Sequence, residues 1–444
     1  MMFLISLLAF CVLIGVLVTV HEGGHFLMAK YFGVRVLSFS VGMGPAIIKH
    51  QVGETSYELR ALPLGGYVQP LSLDMEIAKT MSEAERARAL DAQARWKRIL
   101  VYLAGPATNF LLAWICWSIV GMVGLSDISL ELSKPPATSP VASMGIVEGD
   151  RLVAINGRPV QGFSETNMLL MGKLGEEVTL RFDRHQGIFE REVSLKSITL
   201  DQVVKTPVMI RLGLMPTLYD PSILHVLPDS PAMAAGLKAG DRIWAVNGTP
   251  MLTVGNVMMS IDAAGPHPVT LTVSPEGKPN EKTDITITPR PNGNRWQIGV
   301  NLIGMPHGLQ VRYDPIDTLA YSYQRIVLFV GLNIDAIEST LTGKTDARET
   351  IQGPVGMASL AGKAAMAGWT IFLDTLGMFS LALGFMNLLP IPVLDGGEIM
   401  VLVVESVLRR DLPPRWRNGL KMAGLWLLLS LMVLTFLNDV VKLL

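Results

Sequence analysis

Two cysteines, 17% charged side chains and 7% aromatics are little for a chain of 444 residues, and each shortage removes a class of explanation. Cys11 and Cys116 sit singly in separate apolar runs, so neither a disulfide framework nor a cysteine metal site is in view; both read as small buried apolar residues. Soluble domains carry about 25% charged residues, well above the share here. The 37 basic and 38 acidic side chains cancel to a net charge of -1, which gives no electrostatic footprint for nucleic acid. Hydrophobic residues make up 50% of the chain and the mean hydropathy is +0.39. They are unevenly placed, with apolar blocks at both ends and a polar block between. That is the pattern of a membrane protein with a sizeable soluble insert.

A bilayer span needs about 20 consecutive, mainly apolar residues. Four stretches qualify: Met1–Val20 running on into His21, Ile99–Leu125, about Trp369–Leu389 and about Leu420–Val441. The first is too long and has neither a basic leader nor a small-x-small cleavage site, so it reads as a retained span rather than a signal peptide. Lysine and arginine near span ends set orientation. The connection from Met28 to Arg98 carries ten of them, crowded at Arg95, Lys97 and Arg98, and the last connection carries Arg409, Arg410, Arg415 and Arg417. Both connections belong on the cytoplasmic side, which leaves the termini and the insert outside. The divisions that follow are residues 1–27 (first span), 28–98 (first connection), 99–125 (second span), 127–205 and 206–305 (insert), 306–366 (a juxtamembrane helical region opening at Asp314-Pro315), 367–395 (third span), 396–419 (second connection) and 420–444 (fourth span).

The insert repeats itself. Gly149-Asp150-Arg151 through Ile155-Asn156-Gly157 returns as Gly240-Asp241-Arg242 through Val246-Asn247-Gly248, and Val178-Thr179-Leu180 returns as Val269-Thr270-Leu271, both at an offset of 91. A shared offset at separate places marks duplicated domains of roughly 90 residues. Alternation in Val178, Leu180, Phe182 and in Val269, Leu271, Val273 reads as half-buried strands, and the Asn-Gly pairs as hairpin turns. The copies resemble PDZ domains of the permuted bacterial kind. In the second, Leu212-Gly213-Leu214 resembles the carboxylate-binding loop of the groove; the first shows no clear counterpart.

The chemistry sits in the spans. His21-Glu22-Gly23-Gly24-His25 ends the first; on a helix, i and i+4 share a face, so both imidazoles can meet one Zn2+. Glu22 is then beside the metal as a candidate general base. Ionisable groups in a span are costly and functional by default. A catalytic zinc normally takes three protein ligands, and Asp374, Asp395, Glu398, Glu405 and Asp439 are the acidic candidates for the third. Asp395 stands out because Asn387-Leu388-Leu389-Pro390-Ile391-Pro392-Val393-Leu394-Asp395-Gly396-Gly397 breaks the third span with two prolines and two glycines. Irregular backbone at membrane depth survives only inside protein or along a polar cavity.

H-E-x-x-H in the first span, N-x-x-P-x-P-x-L-D-G-G in the third, and Gly105-Pro106-Ala107-Thr108-Asn109 in the second resemble the site-2 protease family of intramembrane zinc metalloproteases, over essentially the whole chain. The resemblance implies a polytopic α-helical membrane protein: four transmembrane helices forming a site-2 protease core, with two inserted β-rich PDZ domains. It implies that His21, His25 and Asp395 bind one zinc ion per chain, that Glu22 is the catalytic glutamate, and that Asn387, Pro390 and Pro392 help hold substrate. It further implies a multi-pass protein of the bacterial inner membrane, with periplasmic PDZ domains and an active site toward the cytoplasm. Its partners would be single-span membrane proteins: an anti-sigma factor first cut by an upstream extracytoplasmic protease, in the sigma-E envelope-stress response, and remnant signal peptides.

In the first connection, Tyr57 to Val68 reads as strand, glycine turn, strand. By the resemblance this is a membrane-associated β-hairpin whose edge, with Leu59, Gly65 and Gly66, pairs with an unwinding substrate. Ser40-Val41-Gly42-Met43-Gly44 would supply a companion loop near the metal. Ser82 and Glu85 read as a capping box opening a basic amphipathic helix. A membrane-anchored PDZ scaffold without protease activity accounts for the insert but not the motif pair. A zinc transporter accounts for ionisable groups beside broken helices but fits the PDZ insert poorly.

Overall fold

In hydrocarbon an apolar run must satisfy its own backbone polar groups, which favours the helix. The first run forms α1, Met2–Tyr31. The computed structural model describes residues 2–184, 187–199, 202–203, 206–293, 295–342 and 353–443. Further long helices are α2 (Arg95–Val123), α3 (Pro315–Leu341), α4 (Pro354–Ala367), α5 (Trp369–Leu388), α6 (Asp395–Leu408) and α7 (Pro414–Leu443). Among the described residues four of them, α1, α2, α5 and α7, are long and apolar enough to cross a membrane. The first continues past the expected end, carrying the whole H-E-x-x-H motif inside the helix. The expected 306–366 region contains α3 and α4; its residues 343–352 lie outside the described ones. The chain divides into two units: Met1–Gly124 with Arg312–Leu444, and Leu125–Val311.

In the membrane unit α1, α2 and α5 pack around Leu13, Leu17, Cys116, Trp117 and Leu381. Proline sits at the first position of α3, and the N-cap Asp314 Oδ1 accepts from the N–H groups of Ile316 and Asp317, both at 2.9 Å. This helix docks on α2 through Ser118–Ser322 hydroxyls at 3.2 Å and Trp114 Nε1 donating to Leu319 O at 3.3 Å. Arg325 completes the joint: its guanidinium lies 4.2 Å from the Trp117 ring and pairs with Asp374 of α5 at 2.5 Å.

The first connection is a sheet. Strands β1 (Val36–Val52) and β2 (Thr55–Pro70) are joined by a turn at Gly53-Glu54, not at Gly65-Gly66. Bulges bend β2 so far that Ser38–Val41 lies between its two halves, beside Ser56–Leu59 on one side and Gly66–Gln69 on the other. Gly65, at φ +80, bends within the strand, and Ser40–Gly44 is part of β1 rather than a loop. Tyr57–Leu59 is therefore interior to the sheet, and Gly66–Pro70 forms an edge.

Glu54 ties the turn to α1: Arg88 and Lys30 each donate to its carboxylate at 2.7 Å. Chiefly through Arg88, then Lys30, its pKa is held at about 2 against an ordinary 4.5. A depressed folded value means the contact contributes fully above pH 4.5 and is lost as pH falls toward 2. Glu54→Gln should therefore flatten the acid limb of a melting-temperature profile while moving the neutral end down; parallel profiles for the two proteins would show that the contact carries no stability.

The capping box is present, with Ser82 N–H donating to Glu85 Oε2 at 3.2 Å, but its helix spans only Glu83–Arg86, not a long amphipathic run. The chain leaves it because Leu90 N–H pairs with Leu71 O at 2.8 Å and Asp91 caps Leu73 N–H at 2.8 Å, closing a small core of Leu71, Ala78 and Ala89.

The insert unit opens with β3 (Leu125–Ile128) and closes with β12 (Gly308–Val311), which pair antiparallel from Leu125↔Val311. Between them lie two repeats with separate cores. The first contains β4 (Arg151–Ile155), β5 (Glu177–Arg184) and β6 (Gly187–Ser194); the second has the sheet order β10 (Thr283–Ile287), β9 (Val269–Ser274), β8 (Arg242–Val246), β7 (Leu218–Val226), β11 (Val300–Pro306). The repeat is visible in detail: Asn156 Oδ1 accepts Thr179 N–H at 2.7 Å and Asn247 Oδ1 accepts Thr270 N–H at 2.8 Å.

The boundary at 205/206 does not hold. Val208, Met209, Leu212 and Leu214 are buried in the first core, and Ser133 N–H donates to Met215 O at 2.9 Å. Leu212-Gly213-Leu214 thus closes the first repeat and is not the groove of the second. Its counterpart there is Ile298-Gly299-Val300. Gly213 and Gly299 both have positive φ, and a side chain at either would strike the serine of Ser139-Pro140 or Ser230-Pro231. Val141 N–H donates to Leu212 O at 3.4 Å, as Ala232 N–H does to Ile298 O at 2.9 Å.

Candidate metal centre

Two glycines let α1 and α2 touch. A Cβ on Gly24 would strike Ala104 O and Thr108 Oγ1; one on Gly105 would strike the rings of His25 and His21. The Gly105–Asn109 segment is thus the wall against which the H-E-x-x-H face is pressed. It also orients the rings. His25 Nδ1 donates to Val101 O at 2.7 Å, leaving Nε2 unprotonated. Asn109 is fully buried, its amide 3.2 Å from His21 Nδ1 through Nδ2, while its Oδ1 is buried and without a partner. Turned so that Oδ1 takes that place, the amide accepts from His21 Nδ1–H, and His21 Nε2 is freed as well.

Asp395 is the first residue of α6 and reaches the same point. Its Oδ2 lies 3.2 Å from His21 Nε2 and 3.3 Å from His25 Nε2, and the two Nε2 atoms are 3.3 Å apart. An ion held tetrahedrally about 2.0–2.1 Å from each ligand needs them about 3.3 Å apart. Three acceptor atoms converge, and Asp395 Oδ2 is buried with no hydrogen-bond donor; a cation resolves that conflict. Among the described residues this is the one such cluster of His, Cys, Asp and Glu side chains. The residues fit a zinc ion.

The break between α5 and α6 makes this possible. Gly396 and Gly397 pack so closely on the carbonyls of Leu388, Leu389 and Ile391 that no side chain would fit. Val393 has φ +90, a strained value for a β-branched residue. The other acids go elsewhere. Asp374 is taken by Arg325; Glu398 pairs with Lys421 at 2.8 Å; Glu405 is fully buried and accepts Leu412 N–H at 3.0 Å. The side chain of Asp439 lies outside the described residues.

Glu22 points to the sheet edge, its Oε2 accepting Val68 N–H at 2.9 Å. Gly66 packs against the same place, where a Cβ would strike Ser40 O and Val18 and touch Glu22. Gly65 abuts Met43, and Leu59, 46% exposed, pairs with Val41 and Ile48 inside the sheet. Asn387 Nδ2 donates to Leu383 O of its own helix at 3.0 Å, Pro390 is exposed, and Pro392 is packed against Gly424 of α7. Neither Asn109 nor Val68 stands out in the sequence as a site residue on its own. The G-P-x-x-N motif pointed to the former; a backbone N–H leaves no sequence signal.

The family model described as peptidase family M50 matches residues 9–431. The chain is 30% identical to the regulator of sigma-E protease RseP of Escherichia coli, over 98% of each chain. It is 30% identical to the regulator of sigma E protease of Haemophilus influenzae over 100% of each, and 29% identical to protease RseP of Yersinia pestis over 98% of each.

Proposed function

The chain belongs to peptidase family M50, the site-2 proteases, and is a metalloprotease; on that footing we propose that it hydrolyses peptide bonds within the membrane-spanning segment of single-span proteins, an anti-sigma factor of the envelope-stress response and remnant signal peptides being the substrate classes that the family resemblance implies. The observation that carries this is the 3.2–3.3 Å triangle of His21 Nε2, His25 Nε2 and Asp395 Oδ2 inside apolar helices. These three residues hold one zinc ion. When bound, zinc supplies Lewis acidity toward the scissile carbonyl and lowers the pKa of a water toward about 7. Glu22 takes the proton from the attacking water and returns it to the leaving amine. Val101 O and Asn109 keep both imidazoles in the ligating tautomer. A scaffold without catalysis leaves this geometry unexplained.

A helical substrate has no free backbone groups and must unwind to be cut. The edge Gly66–Pro70, facing Glu22 through Val68 N–H, supports a reading in which substrate adds to this sheet as a further strand. Val68→Pro deletes that outward donor without touching the ladder to β1. It should slow cleavage at least about tenfold with zinc content unchanged; a normal rate would remove the edge from the mechanism. By the charge asymmetry of the connections, the basic segments face the cytoplasm and the insert faces the periplasm of an inner membrane.

The two repeats are PDZ domains that select by size. Because Leu125 and Val311 are paired neighbours, a short flexible linker can replace everything between them. Cleavage of a single-span substrate would then no longer depend on prior trimming of its external domain. We expect trimmed and intact substrates to be cut alike by the deletion variant, and only the trimmed one by the full chain. Loss of both cleavages on deletion would make the repeats receptors rather than filters. Failure of the full chain to cut either substrate would count against the proteolytic reading as a whole.

A further inference from the structure

We infer that α7 positions Asp395: the face carrying Arg417, Lys421 and Gly424 sets the height and angle of α6, and with it the carboxylate that completes the ligand set. This rests on the zinc reading above and adds to it a helix that contributes no ligand. Asp395 needs such support. It follows a segment with two prolines and a strained Val393, so the rigidity of α5 does not carry through to it.

α2 packs along α6, and α7 adds a second hold through one stripe of side chains. Residues 417, 421 and 424 lie at i, i+4 and i+7, one face of a helix. Lys421 Nζ is 2.8 Å from Glu398 Oε1, and Arg417 is 3.9 Å from Glu398 Oε2 and 4.0 Å from Glu405 Oε1. Glu398 is one turn beyond Asp395 on α6, and Glu405 lies near its far end. Both acids are shielded, at 14% and 0% side-chain exposure, whereas Lys421 is 52% exposed, so it is the carboxylates that need these cations. At the other end of the stripe, Gly424 meets the Pro392 carbonyl so closely that a Cβ would collide with it. Much of the rest of α7 is exposed apolar surface, including Trp416, Met422, Trp426 and Leu427. The stripe therefore holds both the approach to Asp395 and the helix that begins with it.

The test is zinc affinity of the purified full chain by chelator competition, with the visible absorption of the Co2+-loaded protein as a readout of ligand geometry. Lys421→Met and Glu398→Gln should each weaken zinc binding about tenfold, the low end for residues that orient a ligand from behind, and shift the Co2+ bands. Exchanging the pair, Glu398→Lys with Lys421→Glu, should recover part of the loss, since the new lysine also faces Arg417. Gly424→Leu should weaken binding at least as much; if it fails to fold, the charge variants decide alone. A purely structural contact would lower thermal stability with affinity and Co2+ spectrum unchanged, and that result overturns the inference while leaving the zinc site intact. A wild-type chain that binds no zinc overturns both.

Discussion

Glu22→Gln should leave purified protein with its zinc and without its activity. The substitution preserves size and the ability to accept the Val68 N–H, so the contact at 2.9 Å survives. What disappears is the capacity to take a proton. Positioned general acid–base groups contribute about 10²- to 10⁴-fold, and kcat on a single-span substrate should fall by at least that factor. Glu22 is not one of the three converging ligands, so metal content should stay near one ion per chain. Elemental analysis and a cleavage assay on the same preparation check both halves. Retained activity would end the proposed mechanism, and lost zinc would turn Glu22 into a ligand.

A pair of acid-to-amide substitutions should separate chemistry from architecture. Asp395→Asn removes the only anionic ligand of the three, and zinc binding should weaken by at least about 100-fold, with cleavage lost alongside it. Asp374→Asn should leave zinc binding unchanged but strand the Arg325 guanidinium between α3, α2 and α5. Breaking one side of a shielded ion pair costs of the order of 3 kcal/mol, because the remaining charge is left without its partner. Measured on metal-free protein, where zinc adds nothing to stability, thermal melting should thus fall most in the variant whose metal binding is intact. The opposite pattern, with Asp374→Asn losing zinc, would move the third ligand to α5.

The spans and the ligand motif were legible because both rest on composition and short spacing. An apolar run of the right length has few alternatives in a bilayer, and H-E-x-x-H needs only the helical i, i+4 relation to bring its imidazoles together. The internal repeat was legible for a similar reason, since a constant offset survives sequence drift. What failed required knowing where chain segments return. Leu212-Gly213-Leu214 looks the same whether it opens the second repeat or closes the first; only the bond from Val141 to Leu212, the bond from Ser133 to the adjoining Met215 and the burial of both leucines in the first core decide. The counterpart at Ile298-Gly299-Val300 lies at a different offset from the rest of the repeat, so periodicity did not find it. Gly65 and Gly66 likewise suit a turn or a bent strand, and the choice depended on β1 lying between the two halves of β2. The capping box at Ser82 was correct locally and silent about length, because Leu71 and Ser72 compete for the residues that would have extended the helix.

The glycines at 24, 105, 396 and 397 have a consequence for how sequence variation in this chain would be interpreted. None has a functional group, yet a single added carbon at each meets a carbonyl or a ligand ring. Alanine, the default probe of a scanning experiment, is at these positions the disruptive residue. A saturation screen for activity would accordingly flag them beside His21 and Asp395, and loss of function alone would not tell the two groups apart. The distinguishing signature is chemical rescue. High zinc concentration can restore a weakened ligand set, but no ion concentration makes room for a methyl group between two backbones.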